Sequence, residues 1–282
     1  MTSDGHSSAG SAAGRGRSAR GGRGGTRRPD RERERDRAPK RDNADGDKDR
    51  APRRVEPPLS DDVTGRELDR AVWAELRSLA KPNAEAVARH LVMAGRLMDE
   101  DPEQAYQHAL AAQRRAGRVG AVREAAGLAA YAAGHFAEAL AELRAARRMT
   151  GDNSLLPVMA DCERGLGRPE RALALAAGPE VASLDPAARV EMLLVASGAR
   201  RDLGQREAAV QALRGPELQP AARRPWSARL FYAYADALLE AGRPADAAEW
   251  FSHAVDADDE GQTDAAERLA ELHGIRFDEE DG

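Results

Sequence analysis

The residues of this chain that could do chemistry are few and scattered. Six histidines (His6, His90, His108, His135, His253 and His273) stand one to a segment. None forms the His-Glu-x-x-His pair that holds zinc on one helix face, and no Cys/His cluster has ligand spacing. Each reads as an ordinary surface or edge histidine. Cys162 is the single cysteine, which excludes an internal disulfide framework and suits a small apolar position inside a helix. No Gly-rich stretch runs into Lys-Ser or Lys-Thr, so there is no phosphate cradle of the P-loop type. No Gly-x-Ser-x-Gly elbow presents a nucleophile either. Paired acids such as Asp258–Asp259 and Glu279–Glu280 lie in polar runs where nothing apolar would shift a pKa. The sequence predicts no enzyme, no metal and no cofactor.

What the chain does carry is a repeating scaffold. From Pro225, the residues Phe231, Tyr234, Ala235 and Leu238 share one helical face. Gly242 stops that helix, and Pro244 opens a second one that turns Ala247, Phe251 and Ala254 inward. Counting back from Ala247, equivalent alanines stand at Ala209, Ala172, Ala139 and Ala105, at steps of 38, 37, 33 and 34 residues. Five positions before four of them stand Gly242, Gly204, Gly167 and Gly134, with Glu100 in the fifth place. Pro244, Pro169 and Pro102 share a further register. A small residue lets two antiparallel helices approach closely, and the glycine closes a short turn between them.

The pattern Phe231-x2-Tyr234-Ala235-x2-Leu238, Gly242, Ala247-x3-Phe251, Ala254 resembles the tetratricopeptide repeat, a 34-residue helix–turn–helix unit. Gly127 sits at that family's small position, whereas its late proline is replaced by Asp259. The resemblance spans residues 64–273 and implies an all-α, right-handed solenoid of antiparallel helix pairs with capping helices. The N-terminal cap is predicted to start at Thr64, with Glu67 completing a capping box, and to run through Leu79 before Pro82. A C-terminal cap is predicted over 263–272.

In the family a peptide partner lies in a groove lined by the first helix of each repeat. Carried over by register, the groove residues would be Glu124, Leu128, Tyr131, Asp161, Arg164, Leu194, Arg201, Asp202, Arg229, Tyr232 and Asp236. The family's carboxylate clamp uses Lys, Arg and Asn at two such registers. Here those registers hold Glu124, Pro157, Leu194 and Tyr232, and Leu128, Asp161, Gly198 and Asp236, so no clamp is expected. A mixed acidic and aromatic groove should prefer Arg-containing peptides.

Residues 1–56 contain no Leu, Ile, Phe, Trp or Tyr and cannot bury enough apolar surface to offset the entropy of ordering. A disordered tail is expected there, then a linker over 57–63, the helical domain over 64–273 and an acidic tail over 274–282. The tail carries 16 Arg/Lys against 10 Asp/Glu, and the remainder 27 against 38. Within it Arg20, Arg23, Arg27 and Arg28 resemble RGG-type stretches, which contact RNA through phosphate neutralisation and stacking. No apolar run approaches the ~20 residues of a membrane span, and the first residues lack a signal-peptide core. Together with the lone cysteine this predicts a cytoplasmic protein without a membrane partner. The preference for Arg over Lys suggests a GC-rich bacterial genome. The functional expectation is a non-catalytic scaffold for a protein or peptide partner; the alternative is an RNA-associated factor working through its tail.

Overall fold

The helix-pair pattern dictates a chain of hairpins, and the computed structural model, which describes residues 56–274, consists of these. Among the described residues every regular element is helical. A short α1 (Arg70–Leu76) precedes five pairs: α2 (Lys81–Leu97) with α3 (Pro102–Ala116), α4 (Gly120–Ala132) with α5 (Phe136–Thr150), α6 (Leu156–Gly165) with α7 (Pro169–Ala176), α8 (Pro186–Asp202) with α9 (Arg206–Ala212), and α10 (Ser227–Glu240) with α11 (Pro244–Ala257). A closing helix, α12 (Ala265–Leu272), packs on α11. One 3-10 turn, Pro179–Ser183, fills the longer connection after α7.

The turns within four of the pairs are the same object. Gly134, Gly167, Gly204 and Gly242 all take positive φ, between 69° and 76°, a region only glycine enters without steric cost. In each, the following residue's N–H reaches back five positions: His135 to Ala130, Arg168 to Glu163, Gln205 to Arg200 and Arg243 to Leu238. That bond, with the one from the glycine itself, is the Schellman closure that satisfies the last carbonyls of a helix. Five residues beyond each glycine the alanines of the repeat are fully buried, as is Ala105. Gly127 on α4 faces Leu143 of α5 so closely that a Cβ would stand 2.6 Å from Leu143 Cγ.

Within the stack, each second helix packs on the first helix of the next pair. The first helices also touch one another in succession, α2 on α4, α4 on α6, α6 on α8 and α8 on α10. Second helices make no comparable contact with each other among the described residues. The first helices therefore form one continuous face, and the architecture is an all-α solenoid of paired antiparallel helices with terminal caps, a fold like that of tetratricopeptide repeats.

The N-terminal cap differs from the expected helix. Thr64 does donate two hydrogen bonds to Glu67, from N to Oε1 at 3.3 Å and from Oγ1 to Oε2 at 3.2 Å. Yet the helix starts only at Arg70, because Gly65 adopts φ 82° against Ala88. Trp73 then donates its indole N–H to Gly65 O at 2.8 Å. The cap ends at Leu76, before Pro82 as expected, and Pro82 lies in the first turn of α2. The lead-in is held as well: Arg89 donates to the carbonyls of Val63 and Ser60 at 2.7 and 3.0 Å, and Glu56 pairs with Arg115. The expected basic tail apart from Glu56, and the expected acidic C-terminal tail apart from Gly274, lie outside the described residues.

Candidate functional site

The groove residues read from the sequence all lie on first helices, and their side chains are engaged mainly with one another. On α4, Tyr131 donates its hydroxyl to Asp161 Oδ2 at 2.6 Å. Arg164, one turn along α6 from Asp161, donates Nη1 to Asp161 Oδ1 at 2.8 Å. Its Nε and Nη2 reach across to Asp202 at the end of α8, at 2.8 and 3.3 Å. Arg201 repeats the step from α8 to α10: Nη1 lies 2.9 Å from Asp236, and Nε and Nη2 bind both oxygens of Glu240. The far side of Asp236 accepts from Arg268 of α12 at 3.1 Å. Arg268 also donates to the Tyr232 hydroxyl at 3.4 Å and lies over the Phe251 ring, 5.5 Å from its centroid. Arg229 holds Glu191 with two bonds of 2.7 and 3.1 Å.

This ladder runs from Tyr131 on α4 to Arg268 on α12, and its arginine–carboxylate pairs between α6 and α8 and between α8 and α10 are forked. Bidentate geometry fixes the register between neighbours as well as neutralising charge. One glycine makes room for it. A Cβ at Gly198 would stand 2.4 to 2.6 Å from three atoms of the Arg164 guanidinium, so the arginine crosses α8 at the one residue that leaves space. Burial pushes the Tyr131 phenol well above its ordinary pKa, reinforced by its bond to Asp161. Tyr232 is raised too, first by burial and then by its hydrogen bond to Asp264.

Glu124 is the exception. It is half-buried on α4 and has no basic partner among the described residues; burial raises its pKa, and Asp152 and Glu75 add to the rise. Glu75 itself accepts from the N–H of Ala121 at 3.0 Å, and Asp152 from that of Ser154 at 2.8 Å. Further along the stack a cavity of about 460 Å³ is walled by α4, α6, α8 and α10, and Glu124 is not among its lining residues. Its apolar lining comes from Pro157, Val158, Leu194 and Val195, and its rim from Tyr131, Asp161, Arg164, Glu191 and Arg229. The expected attraction for arginine therefore narrows to Glu124 and its neighbours, because Asp161, Asp202 and Asp236 already hold arginines of the chain. The clamp registers hold no cationic side chain.

Two histidines contradict their expected surface position. His90 and His108 are 2% and 1% exposed, with their Nδ1 atoms 3.0 Å apart between α2 and α3. His135 is an edge residue, 2.8 Å from Glu103, and His253 packs against Phe231 and Trp250. Cys162 is buried and its thiol is pushed up to about 12, by burial first and then by Asp161 and Glu163. Its neighbour Glu163, 1% exposed and bonded to Arg144 at 2.7 Å, drew no notice in the sequence. Among the described residues, no group of three or more His, Cys, Asp and Glu side chains could hold a metal ion. No helix there is long and apolar enough to cross a membrane. Arg20, Arg23, Arg27 and Arg28 lie outside the described residues.

No protein-family model matches the chain, and no curated protein does. Among solved structures it is similar to that of Pseudomonas aeruginosa pilF, with 18% identity over 69% of this chain and 87% of that one and a TM-score of 0.48. The fold assignment rests on the helix pairs themselves. The cytoplasmic location expected from the sequence does not stand, because the features it was read from do not fix a compartment. A free buried cysteine and the lack of a membrane-crossing helix among the described residues specify no compartment.

Proposed function

We propose that this chain is a non-catalytic interaction scaffold. Its first-helix face captures a peptide or protein segment that carries an apolar side chain next to a cationic one. The observation behind this reading is the cavity of about 460 Å³ lined by Pro157, Val158, Leu194 and Val195, together with Glu124 on the first helix α4, which no arginine of the described chain neutralises. Apolar contacts supply the affinity, and a carboxylate in a half-buried setting selects the charge of the neighbour.

The test is a peptide array probed with the full chain, followed by titration of the strongest binder. Binders should pair a bulky apolar residue with Arg or Lys. Leu194→Glu should weaken them at least about tenfold, and Glu124→Gln should weaken the cationic ones selectively, with helicity unchanged. Binding that survives Leu194→Glu at full strength would refute the assignment.

A further inference from the structure

The buried histidine pair is not used by the binding face, and its geometry constrains its protons. Two Nδ1 atoms 3.0 Å apart can hydrogen-bond only if one carries the proton and the other does not. The Nε2 of His90 faces a Glu56 oxygen at 3.7 Å, which favours a proton on that nitrogen. His90 Nδ1 is then the acceptor, and His108 Nδ1–H donates to it. In this state both rings are neutral, as their depth requires.

The charged groups that face the pair are Glu56 from the lead-in and Arg115 from α3, and these two are already bound to each other at 2.7 and 3.1 Å. Arg114 lies near enough to act on Glu56. Glu56 is therefore only partly free to compensate a positive imidazole. One added proton charges a ring with almost no access to water. A second sets two Nδ1–H groups face to face.

We propose that His90 and His108 form an acid-sensitive latch on the first repeat: while neutral they share one hydrogen bond and close α2 against α3, and protonation opens that pair together with the lead-in held by Glu56. Opening stays local because a repeat in such a stack touches only its neighbours. The sign follows from the rings. Burial, followed by the charge of His108, lowers His90 from the ordinary 6.5 to about 4, and burial lowers His108 as well. The opened state thus takes up protons that the closed state refuses. The stability of this repeat is fully present above about pH 6.5 and is lost as pH falls toward 4.

Hydrogen exchange on the full chain, corrected for the intrinsic pH dependence of exchange, tests the proposal. Between pH 7 and pH 5 the protection of α2 and α3 amides should fall about 20-fold from His90 alone, given its shift to about 4. Amides of α10 and α11 should change several-fold less. The double variant His90→Leu/His108→Leu should abolish the fall. An equal fall in that variant, or one spread evenly over all repeats, would overturn the latch. Imidazole NMR titration of the unmodified chain provides a readout that no variant can spoil: the His90 ring should stay neutral down to pH 5, and His108 should titrate below the ordinary 6.5. A pKa of 6 or above for His90, or one of 6.5 or above for His108, would overturn the proposal.

Discussion

Gly198→Ala asks whether the charge ladder on the first-helix face is real. Glycine in the middle of a helix costs about 1 kcal/mol relative to alanine, so this substitution in α8 would ordinarily stabilise. Here the new Cβ would fall 2.4 to 2.6 Å from the Arg164 guanidinium. That group is the mobile end of its side chain, so the helix need not distort. The arginine would swing away, losing its bonds to Asp202 and Asp161. Its side chain is 27% exposed, which sets the value of those bonds between two limits. Exposed pairs contribute ~0–1 kcal/mol, whereas breaking a buried one costs ~3–5 kcal/mol. Taking ~2 kcal/mol for the loss against ~1 kcal/mol gained in the helix, Gly198→Ala should destabilise by about 1 kcal/mol. In an Arg164→Met background the conflict disappears and the same change should stabilise by about 1 kcal/mol. Urea unfolding followed by far-UV circular dichroism would measure both steps of the cycle. The reversal of sign is the diagnostic outcome. If Gly198→Ala stabilises the Arg164 chain as much as the Arg164→Met chain, the guanidinium does not cross α8 at that glycine.

Two further expectations follow from burial. Ala247 is fully buried between α10 and α11, so Ala247→Asp places an unpaired carboxylate there at a cost of several kcal/mol. Limited proteolysis should then release the C-terminal pairs, and a variant as resistant as the unmodified chain would disprove close packing at that site. Cys162, with its thiol raised to about 12, should resist alkylation at pH 8 in the folded chain and react once urea unfolds it; rapid native labelling would show that α6 leaves it accessible.

How far these features could be read from residues depends on whether they are local. The turn glycines and the five alanines were legible because each does a job set within a few residues of itself: a left-handed turn, then a close helix approach. The first pair lacks the glycine, with Glu100 in its place, yet Ala105 is as buried as the others; the spacing carried that assignment alone. The late start of the cap was hidden, since Gly65, at positive φ, lies against Ala88 of the next helix. The histidine pair was missed because its members are 18 residues apart and each looked solitary. A signal did exist. Both stand nine residues from Asp99, inside the turn between α2 and α3, and antiparallel helices bring residues equidistant from their turn face to face.

The same reasoning explains why the shared face of the first helices was legible but its charge was misjudged. Read singly, Asp161, Asp202 and Asp236 look like acids awaiting a basic partner. Arg164 with Asp202, Arg201 with Glu240 and Arg229 with Glu191 are separated by 38, 39 and 38 residues, which is one repeat. In a stacked solenoid, opposite charges one period apart meet across neighbouring first helices, so periodicity itself announces that they neutralise each other. Such pairs on a partly exposed face contribute modest stability, but their forked geometry resists slippage between repeats. Recognition is then left to whatever the ladder does not consume. On the proposed reading that is the apolar wall from Pro157 to Val195 and, among the described residues, the carboxylate of Glu124. A partner selected by these groups should bind with weak dependence on salt at its apolar anchor and stronger dependence at its cation, because a half-buried carboxylate is screened less than an exposed one but still more than none at all.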